Sequence, residues 1–444
     1  MAKNTNINLR NKMIYSVYVR NHGASGTFQD VIDDLDRIKG LGTDIIWLMP
    51  IHPIGQLNKK GELGCPYSIS DFTKVNPEYG TEEDFKILIE KAHDKNMQIM
   101  IDVVYNHTSH DSVYRSSNPE YFFRRPDGNF GNKIADWSDI IDLDYDNKDL
   151  WKLQIDALIK WVKLGVDGFR CDVAPLVPMA FWLEARSEIE KINPDIIWLA
   201  ETVHPHFLEY GRNHGIKMAS DCETYQAFDI CYDYDTHPEF LGFLRGENTL
   251  ETYLERKRAQ ENIYPDNYVK ARFLENHDNP RAKKMIPNDV MLDNWTAFSF
   301  FEKGAILIYA GQEAKDIHCP SLFEIDKVNW SGLDDQYAAL IKTLSRLKKD
   351  SIFAHGRYKI HNCRKMDVIL ATYVHEDEVL YGIFNIGQKA GEIDLHVSDR
   401  SYLDLSPLKD GCYKDEISGS HLSIRSGKLE LSDQPVIFRK SSLV

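Results

Sequence analysis

The sequence predicts an α/β fold: a closed (β/α)8 TIM barrel with a short subdomain B after its third strand and a C-terminal antiparallel β-sandwich domain. Three observations predict it. Short β-rich apolar runs alternate with helical periods through most of the chain, a long irregular connection follows the third run, and the helical periods stop near residue 350. Strands that alternate with helices imply a parallel sheet, because parallel pairs need crossovers. Eight such units favour a closed barrel over an open doubly wound sheet.

The runs are MIYSVYV (13–19), DIIWLMP (44–50), QIMIDVVY (98–105), VDGFRCDV (166–173), IIWLAE (196–201), KMASDC (217–222), KARFLEN (270–276) and AILIYAG (305–311). Amphipathic helices lie between them, such as 28–42 after Thr27 and 82–96 after Thr81. Both threonines suit N-caps, and Gly40 and Gly42 suit a helix stop. The connection over 107–148 is too long for a simple turn and reads as a small subdomain or functional segment. Beyond it, KMDVILATYVHEDEVLYGIFNIG (365–387), GEIDLHV and KLELSD alternate with turn residues, the pattern of antiparallel strands. The expected organisation is barrel 1–106, domain B 107–148, barrel 149–350 and β domain 351–444.

Composition narrows the function. The 444 residues are 43% hydrophobic and 27% charged, ordinary for a globular protein. The formal charge is 53 − 68 = −15, which argues against nucleic acid or an anionic membrane as partner and suits a neutral substrate. No apolar run reaches the ~20 residues of a membrane span, and MAKNTNINLRNK has no apolar region behind it. The seven cysteines are scattered, with no CxxC or zinc spacing. This predicts reduced thiols in a cytoplasmic protein, or else a secreted one whose signal has been removed. No GxGxxG follows a strand and no Walker-type loop occurs, so no organic cofactor is expected.

Barrel active sites lie at the C-terminal ends of the strands. Run three ends in Asp102, Asn106 and His107, run four in Arg170 and Asp172, run five in Glu201, and run seven in Glu275, Asn276, His277 and Asp278. A lone Asp at a strand end is more often a cap than a catalyst, so the case rests on the constellation. Arg170 and Asp172 are two apart on one strand and share a face, so the cation can keep that carboxylate ionised. A second carboxyl with a raised pKa can then stay protonated. Retaining glycoside hydrolysis needs one of each, about 5–5.5 Å apart.

DVVYNH (102–107), GFRCD (168–172), Glu201 closing IIWLAE, and ENHD (275–278) resemble, in order and position, the four sequence regions of glycoside hydrolase family 13, the α-amylase family. PYSISDF and VNPEYGTEEDF (66–85) resemble the segment before the third strand, and DLD (142–144) the end of domain B. The resemblance covers about residues 13–313.

It implies a retaining hydrolase of α-1,4-glucosidic bonds in maltooligosaccharides, starch or glycogen, working by double displacement. Asp172 would be the nucleophile, Glu201 the acid and base, and Asp278 the residue that holds and distorts the −1 sugar. Arg170 would orient Asp172, His107 and His277 would bind hydroxyls, Tyr67 would stack on the ring, and Asp102 would contact Arg170 or the −1 site. The resemblance also implies calcium on Asn106 and Asp142, although Leu176 stands where the family more often has His. Trp137, Tyr145, Tyr114, Phe122 and Phe123 either line the cleft or pack the subdomain. The rivals are an exo-acting α-glucosidase or glucosyl-transferring relative, and a noncatalytic sugar- or partner-binding barrel. Oligomeric state is not legible.

Overall fold

The computed structural model describes residues 4–134, 137–333, 335–362, 365–395 and 408–441. Eight parallel strands close a barrel in sequence order: β1 (Met13–Val17), β2 (Ile45–Leu48), β3 (Gln98–Val103), β4 (Gly168–Cys171), β5 (Ile197–Ala200), β6 (Ile230–Tyr232), β7 (Val269–Arg272) and β8 (Ala305–Tyr309). Closure is the pairing of β1 with β8, Met13 opposite Ile306 and Ser16 opposite Tyr309. Helices cover the outside, so the strands are buried on both faces, which is why they read as continuous apolar runs.

Seven strands fall on the predicted runs; the sixth does not. Residues 217–222 were expected to form it. Instead Ser220 and Glu223 make a capping box that starts the short helix Asp221–Thr224. The strand is Ile230–Tyr232, whose neighbours Asp229 and Asp233 break the apolar pattern. Both acids are buried and paired: Asp229 accepts from Arg186 Nη2 at 2.9 Å and the Trp198 N–H at 3.0 Å, and Asp233 lies 2.8 Å from Arg272 Nη1. The helix expected over 28–42 is two, Phe28–Asp33 and Leu35–Gly40. Asp34 breaks it, its carboxylate bonded to Arg37 and His22. Thr81 forms the predicted cap, a reciprocal box with Asp84, whereas the Thr27 hydroxyl pairs with Ser25 instead of the helix.

The segment after β3 forms a two-stranded antiparallel ribbon, His107–Ser109 against Ile140–Asp142, with His107 opposite Asp142. It returns through the helix Lys148–Leu164, capped by Asn147 and ended by Gly165 at φ +113°, a conformation that glycine adopts without strain.

The C-terminal part is antiparallel, as predicted. One sheet orders Arg357–His361, Ile369–His375, Glu378–Phe384 and Val436–Ser441; the other orders Glu392–Asp394, Lys428–Glu430, His421–Arg425 and Gly411–Lys414. A separate apolar core joins them through Leu370, Tyr381, Ile383, Ile393, Ile424 and Leu429. The end of GEIDLHV, residues 396–397, and Cys363 lie outside the described residues. The six described cysteines are free, and no described helix is long and apolar enough to cross a membrane.

Two sets of hydrogen bonds join the parts. Ahead of β1, Arg10 donates to the carbonyls of Tyr268 and Ala354, and Asn11 Nδ2 to those of Lys348 and Asp350. On the helix before β8, Asn294 donates to the Asp433 carbonyl and accepts from the Asn385 N–H, both at 2.8 Å. Asn294 is fully buried, so its loss strands groups on the β domain. Asn294→Ala is expected to cost about 2 kcal/mol, read as a lower urea midpoint.

Candidate active site

The parallel ladder delivers the predicted side chains to one rim. Asp102 and Arg170 face each other across β3 and β4, since these residues are register partners. Asp172 follows β4 by one residue, Glu201 follows β5 by one, and Asp278 stands on the loop after β7.

Arg170 is the hub. Its guanidinium is completely buried. Nη1 donates to Asp102 Oδ1 at 2.9 Å and Oδ2 at 3.1 Å, and to Asp172 Oδ1 at 2.9 Å. Nη2 lies 3.0 Å from Glu201 Oε2, out of line for a hydrogen bond, so that contact is one of charge. Trp47, Tyr67 and Tyr232 pack around the guanidinium, with ring centroids 5.0, 5.6 and 5.5 Å from Cζ. These faces favour the cation.

Three carboxylates thus share one positive charge away from water. Burial pushes Glu201 up to about 8, and Asp172 and Asp102 to about 7, with Arg170 opposing each shift. The cluster retains a proton at neutral pH. Asp102 and Asp172 accept hydrogen bonds from Arg170 and Glu201 does not, so Glu201 is the group that keeps it.

The remaining predicted residues bound the same space. The Tyr67 hydroxyl donates to Asp102 Oδ2 at 3.0 Å and lies 2.8 Å from His277 Nε2, so His277 supplies the proton of that second bond. Burial lowers His277 to about 4, which leaves it neutral near pH 7. Its ring stacks on Tyr67 at 5.3 Å, and Nε2 is 3.2 Å from Asp278 Oδ2. His107 Nε2 is 3.2 Å from the Tyr67 carbonyl. Asp278 is the open member, its side chain 42% exposed.

Asn106 and Asp142 also meet: Asn106 Nδ2 is 3.4 Å from Asp142 Oδ1, while Asp142 Oδ2 accepts from the Lys133 N–H at 2.7 Å. Among the described residues no three His, Cys, Asp or Glu side chains are grouped to hold a metal ion. Glu275, the fourth strand-end acid in the sequence, is buried in a pair with Arg281 at 2.6 Å. Of the domain B aromatics, Trp137 approaches His107 at 5.8 Å. Tyr114 stacks on Phe72, Tyr145 packs on Phe181, Phe122 packs on Phe130, and Phe123 lies 5.5 Å from Lys133 Nζ.

Sequence reasoning missed Trp47, Tyr232 and Val173. Strand alternation gives a signal for the two aromatics. Nothing in the sequence signals Val173, whose φ of +35° is rare for a β-branched residue and costs about 1–3 kcal/mol. Its N–H donates to Glu201 Oε2 at 2.8 Å.

Residues 13–350 match the α-amylase catalytic domain, and residues 359–438 the bacterial α-amylase C-terminal domain. The chain belongs to the α-amylase family. The crystal structure of an α-amylase from Lactobacillus plantarum is 41% identical, with a TM-score of 0.93 over 98% of this chain and 100% of that one. A noncanonic maltogenic α-amylase from Thermotoga neapolitana is 32% identical, with a TM-score of 0.86 over 98% and 99%. α-Amylase 3 of Dictyoglomus thermophilum is 28% identical over 62% of this chain and 58% of its own length. An α-1,4-glucan:maltose-1-phosphate maltosyltransferase of Arcanobacterium haemolyticum is 33% identical over 40% of this chain and 28% of its own. The chain therefore spans little more than half of the first of these two longer enzymes, and less of the second.

A raised carboxyl makes the α-amylase site a stability liability with a definite pH signature. Folded Glu201 holds its proton to about pH 8, against an ordinary value of 4.5, so stability is lost as pH rises through this window. Glu201→Gln lacks that penalty. The variant's Tm minus that of the parent is expected to grow from about pH 4.5 to pH 8 and then level off; a difference independent of pH contradicts the assignment.

Proposed function

We propose that this protein hydrolyses α-1,4-glucosidic bonds of maltooligosaccharides, starch or glycogen with retention at the anomeric carbon. The observation that carries the reading is the sharing of Arg170: Asp172 and Glu201 sit on the two terminal nitrogens of one buried guanidinium, and only Asp172 is hydrogen-bonded by it. One carboxylate and one carboxylic acid on adjacent strands are what double displacement uses.

In this reading Asp172 attacks the anomeric carbon as Glu201 passes its proton to the glycosidic oxygen. The bond to the leaving sugar breaks and a glycosyl ester forms on Asp172. Glu201, now a carboxylate, takes a proton from water, and the hydroxide so generated releases Asp172. Asp278 and neutral His277 bind hydroxyls of the −1 sugar, His107 adds a further polar contact, and Tyr67 packs against the ring. Bonds from Asp278 that tighten as the ring flattens lower the barrier. The same carboxylates serve transfer if a sugar replaces water. The match to a maltosyltransferase supports keeping that alternative, and products separate the two.

Asn106 and Asp142 do not fit calcium, which takes six to eight oxygens. Asp142 is already bonded by the Lys133 N–H and faces the Asn106 amide nitrogen, a pairing that fastens the domain B ribbon to the rim. EDTA is expected to leave activity unchanged and Tm within about 2 °C, whereas a calcium site predicts a fall restored by added calcium.

The decisive test is a time course of products from maltoheptaose. Mixed short oligosaccharides of α configuration are expected first, with Glu201→Gln and Asp172→Asn each slower by about a thousandfold or more. Glucose alone from the start indicates an exo-glucosidase, and near-normal turnover in either variant refutes the roles.

A further inference from the structure

Strand alternation aims successive N–H groups to opposite sides. The Asp172 N–H donates towards β3, to the Val103 carbonyl at 2.9 Å. The next N–H, that of Val173, therefore faces β5. There it meets no ladder carbonyl but Glu201 Oε2, at 2.8 Å. The left-handed backbone at Val173 then turns the chain off the sheet, so this donor ends the strand on the acid itself. Among the described residues no group bonds Oε1.

An N–H can only donate, so it is satisfied by whichever carboxyl oxygen lacks the proton. Arg170 Nη2, 3.0 Å away, places positive charge beside the same oxygen. We propose that the Val173 peptide N–H fixes Oε2 of Glu201 as the unprotonated oxygen and so assigns the whole proton transfer to Oε1. Val173 is then a positioning residue that acts through its backbone. The inference rests on Glu201 being the acid and base of the reaction, and adds which of its atoms works. In the first half-reaction the Oε1–H bond breaks and its proton passes to the leaving oxygen. In the second, Oε1 takes a proton from water, while the Val173 bond to Oε2 is kept throughout. The same bond steadies the carboxylate form between the two steps.

The groups facing Glu201 are Arg170 on β4, Asp172 beyond it, Asp102 on β3, Asp278 beyond β7, and Tyr232 and Tyr234 at β6. A change confined to the 172–173 peptide alters none of them. Replacing Val173 by its α-hydroxy analogue, 2-hydroxyisovalerate, turns the amide into an ester and removes the donor while keeping the side chain. The lost bond destabilises the carboxylate, so the alkaline limb of kcat/KM is expected to rise by about one pH unit. A limb that does not move overturns the proposal. Should the ester protein not fold, neutron diffraction of the unaltered protein near pH 6 decides: a deuteron on Oε1 supports the assignment, and one on Oε2 overturns it. A Glu201→Gln variant that hydrolyses maltoheptaose normally would instead defeat the underlying role, an outcome distinct from either of these.

Discussion

The site depends on keeping one guanidinium dry. Arg170 is held by ladder pairing beside Asp102, shielded by Trp47, Tyr67 and Tyr232, and surrounded by three carboxylates that its single charge cannot neutralise. Breaking such a buried cluster by removing one partner usually costs several kcal/mol, because the remaining charges are left unmatched. The excess of carboxylates over cations keeps one proton in the cluster. The geometry decides where. Asp172 is hydrogen-bonded to the cation and Glu201 is not, so one environment yields a carboxylate and a carboxylic acid from chemically similar groups, the difference on which the proposed reaction rests.

The rim also shows how closely function is tied to topology. Asp172 and Glu201 each stand one residue beyond a strand, and the parallel register sets them side by side without any loop needing to be long or ordered. Tyr67 arrives from the loop after β2 and His277 from that after β7, and they meet in a stacked, hydrogen-bonded pair. His107 belongs to the domain B ribbon, whose pairing places it opposite Asp142, so the subdomain forms one wall of the site.

Much of this was legible because it follows from alternation and strand ends. Arg170 and Asp172 are two apart, and each acid closes an apolar run; a barrel turns both facts into a shared rim. What escaped has physical causes. The sixth strand hides because Asp229 and Asp233 interrupt its apolar pattern, and only their distant partners Arg186 and Arg272 explain why acids sit there. The helix over 28–42 splits at Asp34, whose carboxylate meets not only Arg37 but also His22, a contact outside the helix that local propensity does not encode. Glu275 looked like a fourth acid of the site, yet Arg281 six residues on draws it into the fold. Val173 gives no signal, since a left-handed valine contradicts its own preference and persists only where neighbours enforce it.

The stitching of Arg10 and Asn11 to residues 348–354 bears on how the chain is made. A ribosome releases β1 well before the carbonyls of Lys348, Asp350 and Ala354 that hold the segment ahead of it, which emerge more than three hundred residues later. β8, its partner across the closure, is also late, although it precedes those carbonyls. β1 must therefore wait, one edge exposed, until β8 has been made. A nascent chain stalled before residue 348 carries Asp102, Asp172, Glu201 and Asp278 and still lacks the carbonyls that hold Asn11. The growing polypeptide thus has a long interval in which this strand is open to pairing with another molecule, and in which a chaperone has most to protect.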